Sequence, residues 1–175
     1  METNNQSKIS TGQKITPFLW FDQNAEEAVN LYTSIFPNSK ITTTTRYNAE
    51  GAKAAHMPEG TVMTMAFQLE GQNFTAINGG PVFKFTEAIS FVVNCETQEE
   101  VDKYWNKLTA EGGQESQCGW LKDKFGLSWQ IVPKQLIELI SSKDSGKAKR
   151  AMQAMLKMKK IIIADLEKAV EQEIN

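Results

Sequence analysis

Two cysteines, Cys95 and Cys118, are all that the chain contains. They are too few for a disulfide framework and far from any Cys-x-x-Cys spacing, which reads as two thiols in a reducing, cytoplasmic setting. Long apolar runs are missing too, so no segment reaches the length of a membrane span. Residues 1–13, METNNQSKISTGQ, lack the apolar stretch of a signal sequence and read as a disordered leader. Positive charge is not in excess: a net charge of -2 and a pI near 5.6 exclude the field that a phosphate backbone requires. Nucleic acid is therefore not expected as the main partner, whereas a small or apolar ligand is. Histidine is limited to His56, which lies in a loop where the side chain is ordinarily solvated. A metal or acid-base role for it would need Gln130 and carboxylates such as Glu59 or Glu70. What remains is ordinary globular material, 41% hydrophobic and 23% charged over 175 residues, enough for one domain with a sizeable core.

The pattern along the chain is a repeat. KITPFLWF (14–21) reads as a strand, and Ala25, Ala28, Val29, Tyr32, Ile35 and Phe36 then recur at helical spacing. Asn24 with Glu27 resembles a capping box at the start of that helix, and Pro37 ends it. SKITTTTRY (39–47) is rich in β-branched residues and reads as a strand. NAEGAKAAHMPEG (48–60) is expected as a loop long enough to form a flap. TVMTMAFQLEG and QNFTAINGGP alternate as strands, with a turn at residues 70–73. AISFVVN (88–94) opens a second round, with Val101, Tyr104, Trp105 and Leu108 on one helix face behind a Thr97–Glu100 cap. QESQCGWLKD and LSWQIVP complete it. Shifted by 73 positions, NAEEAVNLY overlies TQEEVDKYW. Two βαβββ units, residues 14–80 and 87–133, are thus expected to pack their sheets into one α+β domain over 14–133. Residues 134–175 form a helical extension, with Met152, Met155, Leu156, Ile163, Leu166 and Val170 on one stripe. That stripe reads as packing on the sheet or on a partner subunit, with a calmodulin-like or membrane-surface role as the alternative.

Several stretches, TPFLWFDQNAEEAVNLYTSIFPNSKI, INGGPVFKFTEAISFVVNCETQEEVDKYW, CGWLKDKFGLSWQIVP and AMQAMLKMKK, resemble the PhnB-like family, often labelled 3-demethylubiquinone-9 3-methyltransferase. That family lies within the vicinal-oxygen-chelate superfamily of glyoxalase I, fosfomycin-resistance proteins and extradiol dioxygenases. The resemblance runs from about Lys14 to Ala169. It implies eight strands curling around a cavity, usually in a homodimer. It also implies a divalent metal held by His, Gln and Glu, acting as a Lewis acid on substrate oxygens. By the resemblance, the ligand positions fall at Pro17, at Ala88 or Ser90, and at Gln130, where metal-dependent members carry glutamate. Only Gln130 brings a weak donor, so no metal or other cofactor is assigned, with a divalent metal kept as the alternative although its usual ligand positions are mostly vacant. The methyltransferase label finds no nucleotide-binding turn either: Gly79 and Gly80 lead into Pro81 and an extended stretch, not into a helix.

Five residues are candidates for the cavity. Gln130 and Ser128 share a strand face opposite Trp129 and Ile131, so if the latter pair packs under a helix, the former pair faces the cavity. A buried amide needs partners. Gln130 is therefore expected either to pair with a polar group such as Asn78 or to anchor a ligand. Trp120 and Cys118 share strand parity and are expected to line the cavity, whereas Trp105 and Trp129 belong between helix and sheet. A Cys118–His56 nucleophilic pair lacks a third orienting group. The leading expectation is a small-molecule-binding cytoplasmic homodimer. The alternatives are a metal-dependent lyase or isomerase, or a methyltransferase as the family label states.

Overall fold

The computed structural model describes residues 13–171, so most of the expected leader lies outside the described residues. The chain divides into two compact units, the first ending at Lys84 and the second beginning at Phe85.

The first unit runs β1 (Phe18–Phe21), α1 (Ala25–Ile35), β2 (Lys40–Arg46), α2 (Ala49–Ala55), β3 (Val62–Leu69) and β4 (Gln72–Asn78). Its sheet has the order β1-β4-β3-β2, with β1 parallel to β4 and the other pairs antiparallel. Alternation decides the faces: Met65, Phe67 and Leu69 on β3, with Phe74 and Ala76 on β4, are buried on the side that meets Ala28, Val29 and Tyr32 of α1. Between β3 and β4, Glu70 (φ 47°) and Gly71 (φ 80°) form a two-residue loop closed by the Leu69–Gln72 pair, the positive-φ geometry that suits the strand twist. β2 is an edge strand exposed along all seven residues.

Two expectations are corrected here. The stretch expected as a flap contains α2, because Asn48 caps it by accepting the Gly51 N–H at 2.8 Å, and His56 closes it in the left-handed region (φ 55°). Asn24 makes no side-chain cap. The first amide of α1, that of Ala25, donates instead to Asn78 Oδ1 at 2.8 Å, from the end of β4.

The second unit runs β5 (Ser90–Cys95), α3 (Gln98–Leu108), β6 (Gln114–Glu115), β7 (Trp120–Lys122), β8 (Ser128–Pro133), α4 (Lys134–Ile140), α5 (Ser145–Met155) and α6 (Ile163–Glu171). Sheet order β5-β8-β7-β6 repeats the first unit, again with the outer pair, here β5 and β8, parallel. Shifting Ala25–Ile35 by 73 positions gives Gln98–Leu108, so the sequence repeat matches α1 and α3 end to end. Thr97 accepts the Glu100 N–H, and Glu100 in turn accepts the Glu96 N–H, a capping box displaced by one residue.

The C-terminal stripe is not one helix. Residues between α5 and α6 direct their backbone groups elsewhere: Met158 and Lys159 carbonyls accept the amides of Cys118 and Gly119, both at 2.7 Å, and the Gln98 side chain brackets Ile161 O and Ile163 N. Those bonds compete with the helical ladder and break it. Val132, Leu136, Ile161 and Leu166 then form a core of their own, joined by Met155 and Met158, which seats the extension on the end of β8.

Candidate functional site

The register of the second sheet sets out its two faces. Leu121, Trp129 and Ile131 are buried on the side of α3, where the Phe91 and Trp129 rings lie 5.7 Å apart. On the opposite face two rows cross the strands: Ser90, Ser128 and Lys122 in one, Val92, Gln130 and Trp120 in the next. A cavity of about 540 Å³ opens there, lined by Cys118, Trp120, Lys122 and Ser128 together with Glu87, Leu121 and residues 114–117. Three of the five candidates, Ser128, Trp120 and Cys118, therefore share one cavity. Gln130 sits in the adjoining row.

Ser128 is the site's unusual residue. It is 0% exposed, and its Oγ has no hydrogen-bond partner among the described residues. A buried hydroxyl without a partner is unfavourable by about 1–3 kcal/mol, so it is an opening for an incoming acceptor or donor.

Gln130 has a partner, but not Asn78. Its Nε2 donates to Ser90 Oγ at 2.8 Å. Asn78 belongs to the first unit, where Oδ1 accepts from Ala25 and Nδ2 donates to Val62 O at 3.0 Å, while its carbonyl accepts the Tyr47 hydroxyl at 2.6 Å. Its amide holds helix and strands together, and it lines a shallow hollow of that unit with Arg46 and Glu59.

Backbone geometry shapes the cavity rim. Cys118 (φ 60°) and Gly119 (φ 83°) are consecutive left-handed residues, and a side chain at Gly119 would meet Ile131 O at 2.8 Å. Asp123, which sequence reasoning missed, closes the β7–β8 turn: Oδ1 accepts the Phe125 and Leu127 amides, and Oδ2 accepts Trp129 Nε1 at 2.9 Å. The signal was present in Asp-Lys-Phe-Gly between two strands, where an aspartate folds back on the amides ahead of it.

Charge at the cavity is balanced. Lys122 Nζ lies 2.8 Å from Glu87, and its hydrogen bond is the main reason that the Glu87 carboxyl titrates below its ordinary range. Glu115 is lowered chiefly by the Trp105 indole, which donates to it at 2.9 Å, and further by Lys159. Both carboxylates are ionised at neutral pH.

The positions that a metal would need do not fit one. Pro17 contributes its carbonyl to the Thr75 amide and has no donor side chain, the Ser90 hydroxyl is engaged by Gln130, and Ser128 adds another neutral hydroxyl. A set of hydroxyls and one amide oxygen, with no carboxylate or imidazole, is a poor divalent-metal site. Among the described residues no three His, Cys, Asp or Glu side chains come together in a way that could hold a metal ion. His56 is exposed at the end of α2. The Gly79–Gly80 pair is likewise no phosphate cradle. A Cβ at Gly79 would lie 2.2 Å from the Trp20 ring, whose Nε1 donates to Gly80 O, so the space that glycine leaves is filled by indole.

Similarity to other proteins agrees with this architecture. The family model for 3-demethylubiquinone-9 3-methyltransferase matches residues 13–132, ending short of the extension that the resemblance included. The PhnB protein from Bacillus cereus is 41% identical, over 69% of this chain and 99% of that one, with a TM-score of 0.62. Protein PA1353 from Pseudomonas aeruginosa has the fold at 19% identity, covering 69% and 97% of the two chains, with a TM-score of 0.54. The fosfomycin resistance protein FosX from Listeria monocytogenes is 14% identical over 70% and 92% of the two chains, with a TM-score of 0.49, too distant to bear on function. No curated protein matches. The chain belongs to the 3-demethylubiquinone-9 3-methyltransferase, or PhnB-like, family.

Proposed function

We propose that the second unit binds a small organic molecule in the cavity floored by Ser128, with Trp120 and Cys118 at its wall and Gln130 alongside. The observation that carries this reading is the buried, unpartnered Ser128 hydroxyl. Proteins ordinarily satisfy such groups, and an acceptor or donor on a ligand would satisfy this one. A volume of about 540 Å³ lies within the usual range for such ligands. Thermal-shift screening of the full chain against a metabolite panel tests it. At least one compound should raise the melting temperature, and Ser128→Ala or Trp120→Ala should abolish that rise. A panel without any stabilising compound, together with an unperturbed Trp120 indole resonance, would remove the binding claim.

We further propose a cytoplasmic homodimer. Among the described residues no helix is long and apolar enough to cross a membrane, and both thiols are free. Exposed apolar residues on or beside strands, Phe18 (59%), Ile89 (70%) and Val92 (50%), favour burial against a second copy. Sedimentation equilibrium at micromolar concentration should give twice the chain mass; a single-chain mass would exclude the dimer.

A further inference from the structure

Which kind of molecule fits is constrained by the hydrogen-bonding row across the sheet. The Ser90 hydroxyl accepts from Gln130 Nε2, which leaves its proton to be donated. Next to it, the Ser128 hydroxyl is buried and has no partner among the described residues. Third in the row, Lys122 carries three ammonium protons, and Glu87 is the partner of one of them. The Lys122 ammonium can only donate and the Ser128 hydroxyl beside it is able to, so together they suit a ligand group that is all acceptor. One formal positive charge, already opposed by Glu87, suits a group of single negative charge better than a dianion. A carboxylate has that charge and presents two oxygens to the donors at once. In the adjoining row Trp120 is half-buried at the cavity wall and offers an aromatic face beside Gln130.

We infer that the ligand is a small planar organic carboxylate, its head group on Ser128 and Lys122 and its ring against Trp120, with Ser90 next to Ser128 in the row behind them. This rests on the cavity reading above and goes beyond it. Glu87 is then an internal competitor: its side chain is 63% exposed, so it can leave the Lys122 ammonium when a ligand carboxylate arrives. An amine of the same shape would set cation against cation at Lys122, and is rejected.

Titration calorimetry on the full chain at low salt, with benzoate, 2-naphthoate and indole-3-acetate against their primary amides and amines, is the test. A carboxylate should bind at least about tenfold more tightly than its amide, the difference between a charge-assisted and a neutral contact, with no binding of the amine. Glu87→Gln should tighten the carboxylate by roughly threefold or more, and Lys122→Met should erase the preference for carboxylate over amide. Amides that equal or exceed the carboxylates, or a Glu87→Gln variant with unchanged affinity, would overturn the carboxylate assignment and leave the cavity reading standing. Absence of binding by all three classes would overturn the carboxylate assignment; absence of any stabilising ligand in the wider screen as well would remove the cavity reading with it.

Discussion

Ser128 separates stability from binding at a single atom. Its Oγ is buried without a partner among the described residues, so Ser128→Ala removes a group that they do not satisfy. Without ligand, urea denaturation of Ser128→Ala should show no loss of stability and a gain of up to about 1 kcal/mol, against the usual loss for truncating a buried polar side chain. A loss above that size would mean that the hydroxyl has a structural partner. The two thiols make a second contrast at this scale. Burial, helped by nearby Glu100, pushes the Cys95 thiol up to about 12, and the residue is only 1% exposed, whereas Cys118 is half-buried at the cavity wall. Iodoacetamide near pH 8 should therefore modify Cys118 and spare Cys95, since the thiolate is the nucleophile. Mass spectrometry of tryptic peptides reads this directly, and equal labelling of the two would contradict the burial. Because the Cys95 pKa is raised in the folded state, its contribution to stability is complete below the ordinary thiol range and declines as pH rises from about 9 toward 12.

At the scale of elements, the first helix is held by a strand. Asn78 caps α1 through Ala25 and grips β3 through Val62, both within buried surroundings. Asn78→Ala leaves two buried backbone groups unpaired and should lower stability by about 2–4 kcal/mol, whereas Asn24→Ala should change it by less than about 0.5 kcal/mol. Chemical denaturation of the two variants distinguishes them; equal losses would restore Asn24 as the cap. A different long-range bond explains the break between α5 and α6. Carbonyls that a continuous helix would use internally are bonded to Cys118 and Gly119, so the extension and the cavity rim are parts of one hydrogen-bonded structure.

For the whole molecule, carboxylates supply the pH dependence. Asp102 is lowered chiefly by its hydrogen bond from Lys160, Glu115 by the Trp105 indole, and Asp144 by the Lys147 amide at the start of α5. Each has a folded pKa below its unfolded one, so its stabilisation is present above the ordinary carboxylate range and disappears as pH falls through the folded values. Unfolding midpoints in urea should accordingly hold steady near neutrality and fall progressively below about pH 5. A midpoint that rose on acidification would reverse the sign assigned to these groups.

Periodicity alone determined the strands of the two units and the helices α1 and α3, though not α2. Apolar spacing of 3.6 and of 2 residues is local physics, and its recurrence 73 positions later matched α1 to α3 without any contact being known. Strand parity also put Ser128 and Gln130 on the face opposite Trp129 and Ile131, because alternation survives whatever the neighbours are. Tertiary structure decided the rest. Partners of polar side chains depend on register across strands far apart in sequence: Gln130 meets Ser90 because β5 and β8 are parallel neighbours with those residues one row apart, and Asn78 meets Ala25 because β4 lies beside β1. Asn48, an extended residue before an alanine-rich run, carried a local cap signal for α2 that the Gly and Pro around it obscured. No local pattern carried the unpaired hydroxyl of Ser128, since the lack of a partner is a property of everything packed around an atom and of nothing in its own neighbourhood along the chain.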